Sequence, residues 1–171
     1  MASEANEWKK KRLIAGALVI LFVLFINFAP KLVYVNTTRS LPLGLYLAIP
    51  GKNLRYGDIV VYDPPEKVRE LIRERKYGSE DAHFLKHIGG MPGDIYGVAE
   101  DKFIAHGELK GTVQRQDNAG NPMPVMDGLH IVPEGEFLPI GEKTNSLDGR
   151  YMGTVPLDSI ITRVVPIATE W

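Results

Sequence analysis

One stretch limits the fold more than any other, an uncharged apolar run near the N-terminus. It extends from Leu13 to Ala29 (LIAGALVILFVLFINFA), has Asn27 as its one strongly polar member, and follows the basic cluster Lys9-Lys-Lys-Arg12. At ~1.5 Å per residue, a helix of this length just crosses a hydrocarbon core of roughly 30 Å. Because the run has no polar face to present to water, we expect a membrane-spanning helix rather than a buried core helix.

The charges around this run predict its orientation. The basic cluster precedes it, and only Lys31 and Arg39 follow closely, so the N-terminus is expected in the cytoplasm and the remainder outside. A cleavable signal peptide is the rival interpretation, but Asn27-Phe-Ala29 is a poor match to a small-residue cleavage site. We therefore predict a cytoplasmic tail at 1–12, a transmembrane anchor at 13–29 and an exported domain at 30–171.

Composition narrows the class of protein. The 171 residues, of which 44% are hydrophobic and 24% charged, suit one globular domain with an appendage. A net charge of -1 gives no electrostatic case for binding nucleic acid. The absence of cysteine excludes disulfides, cysteine-ligated metals and thiol nucleophiles. We find no metal or nucleotide motif and predict no cofactor.

The exported part is expected to be mostly β. Short β-branched or aromatic runs alternate with Pro/Gly turns, which is typical of the strands of an all-β domain. The exception is 66–81, where apolar residues at helical spacing predict a short amphipathic helix. We favour a solvated helix over one end of the sheet, with a docking surface as the alternative. Strands are expected at 31–35, 45–49, 59–62, 83–88, 95–96, 103–104, 112–114, 129–132 and 160–167.

One serine lies in a stretch built for a turn. Ser40 falls within Asn36-Thr-Thr-Arg-Ser-Leu-Pro-Leu-Gly-Leu-Tyr46, where Pro42 favours extended backbone before it and Gly44 permits unusual backbone angles. A serine hydroxyl is a weak nucleophile until a base takes its proton. The function of Ser40 therefore depends on whether a base lies beside it.

Two kinds of base are available. The four histidines, at positions 83, 87, 106 and 130, stand in contexts that mark none of them as catalytic. Lys86 has a better local argument, because strand alternation places it on the same face as Phe84 and Ile88. Burial between two apolar side chains would lower the pKa of its amine towards neutral pH. A strand lysine that extends its ammonium into water remains an equal alternative.

Three motifs in order resemble a known family. They are N-T-T-R-S-L-P-L-G-L-Y at 36–46, F-L-K-H-I-G-G-M-P-G-D at 84–94 and N-S-L-D-G-R-Y-M-G at 145–153, after an N-terminal apolar run. This arrangement resembles the bacterial type I signal peptidases, and within them the conjugative-transfer (TraF-type) branch that matures pilins. The resemblance implies a single transmembrane helix followed by an antiparallel β-sheet domain of signal-peptidase type.

The resemblance also implies a Ser-Lys catalytic dyad. Ser40 would be the nucleophile, and Lys86 would be the general base that takes its proton and passes it to the leaving amine. The backbone N–H of Ser40 and the hydroxyl of Thr38 would stabilise the oxyanion.

The third motif is implied to support this dyad. By resemblance, Ser146 orients the lysine, and Asp148 and Arg150 form a bracing acid–base pair. From the residues alone, Asp148 and Arg150 would share a face if this piece is extended, although an ordinary turn is the alternative. Gly149 stands where the family often has serine, and we expect it to loosen the local backbone.

The implied function is a membrane-anchored serine endopeptidase that removes leader sequences from exported precursors, foremost a conjugative pilin precursor. Substrate would bind as an extended strand beside a sheet edge. The expected location is the bacterial inner membrane with the catalytic domain in the periplasm, and conjugation or type IV secretion components are candidate partners. Alternatives are a transpeptidase or pilin cyclase that uses the same acyl-enzyme, a housekeeping signal peptidase, and a non-enzymatic assembly factor.

Overall fold

The structure, a computed structural model, describes residues 2–28, 32–51 and 53–170. Its internal contacts divide the chain into two compact units, Met1–Leu32 and Val33–Trp171. The first unit is built on helix α1 (Ala2–Phe28). The second contains the strands.

Helix α1 includes most of the predicted anchor, and Ala29 lies outside the described residues. Its large apolar side chains from Leu13 to Val23 are exposed, including Leu13 at 74% and Phe22 at 63%. Over residues 2–28, 32–51 and 53–170, no helix combines the length and apolar content needed to cross a membrane. The anchor at 13–29 therefore stays a prediction.

The second unit contains two antiparallel sheets, which confirms the predicted mostly β domain. Their strands are β1 (Val33–Asn36), β2 (Gly44–Ile49), β3 (Ile59–Tyr62), β4 (Phe84–Gly90), β5 (Ile95–Ala99), β6 (Lys102–Ala105), β7 (Glu108–Thr112), β8 (Gly128–Ile131), β9 (Glu136–Ile140), β10 (Val155–Pro156) and β11 (Ile160–Thr169). The larger sheet has the order β1-β2-β11-β3-β4-β9-β10, and the smaller has the order β7-β6-β5-β8. Two short helical turns, α3 (Gly149–Met152) and a 3-10 turn (Leu157–Ser159), flank β10.

Strand β9 is the main element that the sequence patterns do not predict. It contains Pro139, which lacks a backbone donor and argues against a strand between two neighbours. The structure nevertheless places β9 between β4 and β10, with Pro139 opposite Ile88. A register shift between Ile88 and Gly90 interrupts the ladder beside this proline, so the missing N–H falls where pairing is already irregular.

The predicted helix is present as α2 (Glu66–Arg75), and it is shorter than 66–81. It ends where Lys76 adopts a left-handed conformation at φ 54° and donates its N–H to the carbonyl of Ile72. Val68 and Ile72 are buried in one cluster with Val60 and Tyr62 of β3. The helix therefore packs its apolar face on the larger sheet, as the favoured interpretation expects.

A second apolar cluster lies beside Ser40 and Lys86. It contains Leu41 and Leu85 together with Tyr34, Tyr46, Val61 and Val164. Leu41 follows Ser40 directly, and Leu85 precedes Lys86. Because these two leucines are buried in one cluster, the loop that carries Ser40 and strand β4 lie in the same part of the fold.

Candidate active site

Ser40 lies in the loop 37–43 that closes the hairpin of β1 and β2. The hairpin register pairs Asn36 with Gly44, so both strands end at the loop. Gly44 has φ 140° and approaches the backbone of Ala168 on β11 so closely that a side chain would overlap it. The Glu170 N–H donates to the Leu43 carbonyl at 2.9 Å. The loop is thus held against the end of β11.

A second contact ties the Ser40 loop to the segment after β9. The Glu142 N–H donates to the Ser40 carbonyl at 2.7 Å. An added Cβ at Gly141 would lie 3.0 Å from that same carbonyl oxygen and would overlap Ser146 Oγ. Ser40, Gly141 and Ser146 therefore converge at one point, which only glycine at 141 allows.

Lys86 lies on β4, beside the same point. Its register partner on β3 is Val60, and the neighbouring pair His87–Ile140 places the start of the 141–148 segment next to it. The Lys86 side chain is 5% exposed, and its Nζ lies 5.5 Å from the centre of the Phe84 ring. Of the two alternatives left open by the sequence, Lys86 is therefore the buried lysine and not one that extends its ammonium into water.

Burial lowers the pKa of Lys86 to about 8. Desolvation of the ammonium is the main cause, the charge of Asp148 opposes it, and the charge of Arg150 adds to it. An amine with this pKa has a substantial neutral fraction near physiological pH and can accept a proton.

Asp148 and Arg150 form a buried pair, but the backbone between them is not extended. Asp148 caps α3 and accepts the Arg150 N–H at 3.1 Å, and the Arg150 Nε lies 3.7 Å from Asp148 Oδ1. Both residues are 0% exposed. The predicted pair is present, whereas the extended geometry suggested for it is wrong, because a capped helical turn brings the two side chains together.

This pair organises the segment that faces Lys86. Asp148 Oδ2 accepts the Gly141 N–H at 2.8 Å, and Arg150 donates to the carbonyls of Gly141 at 2.7 Å and Lys143 at 2.5 Å. Burial raises the pKa of Asp148, against the opposing effects of Arg150, Lys86 and two backbone N–H donors. The buried charges of Asp148 and Arg150 compensate each other while fixing Gly141.

Ser146 is buried at the same junction. Its N–H donates to the Lys143 carbonyl at 3.1 Å, and Gly141 lies directly against its hydroxyl. Ser146 Oγ makes no hydrogen bond with any described residue, so the bond to Lys86 implied by the resemblance is not formed here. Within the described residues, the Ser146 hydroxyl is therefore buried at this junction without a hydrogen-bond partner.

Thr38 lies next to Ser40. Its Oγ1 lies 3.3 Å from Ser40 Oγ and donates to Asn36 Oδ1 at 3.1 Å. A hydroxyl at this distance is placed as the oxyanion role implied for Thr38 by the resemblance would require, and that role stays a prediction.

Gly149 does not loosen the backbone, contrary to the sequence-based expectation. A Cβ at this position would lie 2.5 Å from Leu138 Cδ1 and 2.9 Å from the Pro139 carbonyl oxygen. Glycine is required because α3 packs directly on β9, and the position is buried.

The histidines bond to other groups. His83 contacts Asp63, His106 contacts Asp94, and His130 contacts the Asp127 carbonyl. His87 bridges the Gly57 carbonyl and the Glu142 carboxylate. Among the hydrogen bonds of the described residues, none joins a histidine to Ser40. Nor do three His, Asp or Glu side chains in that part of the chain gather into a metal site.

The sequence patterns did not identify two residues that shape the site, Asn36 and Gly141. Asn36 precedes a turn, and an asparagine there commonly bonds to the backbone just after it, so this signal was available. Gly141 follows a strand that the patterns also missed, so its place beside Ser40 could not be inferred.

The sequence of this chain matches a known family. Residues 5–169 match the family described as signal peptidase, peptidase S26. Plasmid transfer protein TraF of Escherichia coli is 29% identical over 146 residues, covering 79% of this chain and 82% of that protein. Signal peptidase I of Leptolyngbya laminosa is 29% identical over 112 residues, covering 65% of this chain and 51% of that enzyme.

Among solved structures, a signal peptidase I from Enterococcus faecalis has a TM-score of 0.41 at 20% identity, covering 66% of this chain and 97% of that chain. The fold described above rests on this chain's own strands and not on that likeness. The family match spans nearly the whole chain and agrees with the resemblance found in the three motifs. The chain therefore belongs to the signal peptidases of family S26.

Proposed function

We propose that this chain is a membrane-anchored serine endopeptidase that removes leader sequences from exported precursor proteins. The observation that carries the proposal is the burial of Lys86, which lowers its pKa to about 8 beside the segment that also holds the Ser40 loop. A buried lysine beside a serine loop supplies the two groups that acyl transfer needs, a nucleophile and a base.

In the proposed reaction, the neutral amine of Lys86 takes the hydroxyl proton of Ser40 while Oγ bonds to the scissile carbonyl carbon. The resulting oxyanion accepts hydrogen bonds from the Ser40 N–H and the Thr38 hydroxyl. When the intermediate collapses, the C–N bond breaks and the Lys86 ammonium donates its proton to the leaving amine. Water then attacks the Ser40 ester and gives a proton to Lys86. When the ester C–O bond breaks, Lys86 returns that proton to Ser40 Oγ and the acid is released.

The supporting residues Asp148 and Arg150 act on the loop that carries Ser40 through Gly141. Asp148 and Arg150 hold the Gly141 backbone, and Gly141 in turn contacts both Ser146 and the Ser40 carbonyl. The Ser146 hydroxyl, which is unpaired within the described structure, is the nearby group that could orient the amine once substrate is bound. Through these contacts, the buried pair of Asp148 and Arg150 helps to fix the position of Ser40.

The substrate is proposed to be an extended segment of an exported precursor, foremost a conjugative pilin precursor. Strand β1 is an edge of the larger sheet and leads directly into the loop 37–43, so a segment that pairs with β1 would reach Ser40. Relatives named signal peptidase I and plasmid transfer protein support a leader as substrate and conjugation as the setting.

Membrane attachment through residues 13–29 is part of the proposal, with the N-terminus in the cytoplasm and the catalytic domain in the periplasm. It is supported by the uncharged sequence, the preceding basic cluster and the exposed apolar side chains from Leu13 to Val23. The protein should stay in the membrane pellet after alkaline extraction. Its C-terminal part should be digested by protease only when the periplasm is opened. Release by alkali would contradict the anchor.

Processing of a co-expressed pilin precursor, measured by intact mass, tests the catalytic proposal. Ser40→Ala and Lys86→Ala should each abolish processing while the protein still accumulates. Ser79→Ala and Lys102→Ala, at exposed positions, are the matched controls and should process normally.

The same masses separate the alternatives. Hydrolysis adds one water across the cleaved bond. Cyclisation adds none, so the cyclic product is lighter by one water than the linear product of hydrolysis. Normal function of both Ser40→Ala and Lys86→Ala would favour a non-enzymatic assembly factor. Normal processing by Lys86→Ala alone would refute the lysine base.

A further inference from the structure

The side chain of Asn36 holds the serine loop from both sides of the nucleophile. The two hydrogens of its Nδ2 are shared among three carbonyl oxygens. These belong to Thr38 at 2.9 Å, before Ser40 in the chain, and to Leu41 at 3.1 Å and Pro42 at 3.0 Å, after it. Its Oδ1 accepts the Thr38 N–H at 3.2 Å and the Thr38 hydroxyl at 3.1 Å. One amide therefore spans the whole turn that carries Ser40.

These contacts settle which way the amide points. Three carbonyl oxygens surround one end of the side chain, and only the NH₂ group can donate to them. The other end is therefore the carbonyl Oδ1, which can only accept. Asn36 is 6% exposed, so water cannot readily replace these partners if the side chain is removed.

This orientation determines where the hydroxyl protons lie. Thr38 has one hydroxyl hydrogen, and Asn36 Oδ1 is an acceptor, so that hydrogen points to Asn36. Thr38 Oγ1 is then left to accept the hydroxyl hydrogen of Ser40 across 3.3 Å. Without substrate, the three side chains form a directed chain in which Ser40 donates to Thr38 and Thr38 donates to Asn36. In the proposed reaction the Ser40 hydrogen then turns from Thr38 to Lys86.

We propose that Asn36 is a positioning residue for the Ser40 nucleophile. Asn36 fixes the loop by donating hydrogen bonds to three backbone carbonyls. Its Oδ1 also accepts the Thr38 hydroxyl hydrogen until the oxyanion forms, and this hydrogen then turns to the oxyanion. Asn36 does not touch the reacting atoms and acts only through Thr38 and the loop backbone. This inference rests on the proposed function. It adds Asn36 to the residues proposed there, which are Ser40, Thr38, Lys86 and those of the third motif.

The absence of cysteine from the chain allows a test that does not depend on substrate. Ser40→Cys introduces a single thiol, and the pH dependence of its alkylation by iodoacetamide in the full-length protein gives its pKa. The ammonium of Lys86 should lower that pKa, so adding Lys86→Met should raise it. The difference between these two values measures how closely position 40 is held to Lys86.

Adding Asn36→Ala to both proteins should reduce this Lys86-dependent difference by at least half. Asn118→Ala, an exposed asparagine in another loop, is the matched control and should leave it unchanged. In the Ser40 protein, Asn36→Ala should slow precursor processing by about 10- to 100-fold, because a misplacement of roughly 1 Å can cost on the order of 100-fold.

The outcomes separate this inference from the proposed function. If Lys86→Met shifts the thiol pKa and Asn36→Ala leaves both that shift and processing unchanged, the role of Asn36 is refuted and the dyad stands. If Lys86→Met produces no shift, the dyad and the inference both fail. Should Asn36→Ala not fold, Asn36→Asp keeps the shape and the Thr38 bonds but loses the three donated bonds. Normal processing by Asn36→Asp would also refute the positioning role.

Discussion

Replacing Lys86 with methionine should stabilise the protein at neutral pH while abolishing its proposed activity. Methionine has nearly the same length and no charge, so it can occupy the buried site between Phe84 and the third motif without desolvating an ammonium. The gain should be specific to this lysine, because its side chain is only 5% exposed.

The size and sign of the effect follow from the pKa of Lys86, which falls from 10.5 to about 8 on folding. Between these two pH values the unfolded chain binds more protons than the folded protein, so the free energy of unfolding of the wild type rises with pH. Below pH 8 the amine is charged in both states and the full cost of burying the charge is present. That cost is about 3 kcal/mol, since each pKa unit corresponds to about 1.4 kcal/mol.

The assay is chemical unfolding of the full-length protein in mild detergent at pH 7 and at pH 10, for wild type and Lys86→Met. The variant should be more stable by up to about 3 kcal/mol at pH 7, and most of this advantage should disappear by pH 10. The exposed Lys102→Met is the control and should change stability by less than about 0.5 kcal/mol at either pH. Equal stability of wild type and Lys86→Met at pH 7, or an advantage that persists unchanged at pH 10, would refute the reasoning.

Three further outcomes are expected. The processing rate should rise about tenfold from pH 7 to pH 9 with a midpoint near 8, because the neutral fraction of Lys86 rises over that range. Gly141→Ala should destabilise the protein by about 1–3 kcal/mol and reduce processing, because the added Cβ overlaps Ser146 and presses on Ser40. Tyr62→Phe should leave stability unchanged or raise it by about 1 kcal/mol, because the buried Tyr62 hydroxyl bonds to none of the described residues. Initial rates of processing measure the pH dependence, and unfolding curves measure the stability changes in Gly141→Ala and Tyr62→Phe.

Each of these outcomes has its own check. Asp148→Asn should move the pH midpoint lower, because the charge of Asp148 raises the pKa of Lys86; a flat pH profile would exclude a titrating lysine base. Gly16→Ala, where a Cβ meets nothing within 4 Å, is the control for Gly141→Ala, and equal tolerance of both would contradict the crowded junction. A loss above about 1 kcal/mol in Tyr62→Phe would show that the hydroxyl has a stabilising partner.

Local patterns were sufficient where a residue's environment follows from its neighbours in sequence. Helical spacing predicted α2, and alternation along β4 placed Lys86 between apolar side chains as one of two alternatives, of which the structure shows the buried one. The same reasoning failed at β9, because Pro139 argues against an inner strand unless a register shift in the partner strand is known. It also failed at Asp148 and Arg150, which meet through a capped helical turn rather than an extended piece.

The sequence by itself determined the class of domain, the residue types available for catalysis and the family, because strand alternation, turn residues and short motifs are local properties of a chain. The tertiary structure decided how those residues meet. Gly141 lies between Ser40 and Ser146, and Asn36 spans the serine loop, because pairing of β9 with β4 and closure of the β1–β2 hairpin bring distant segments together. The tertiary structure also determines the pKa of Lys86, because the desolvation of its amine depends on packing from strands and loops that are remote in the chain.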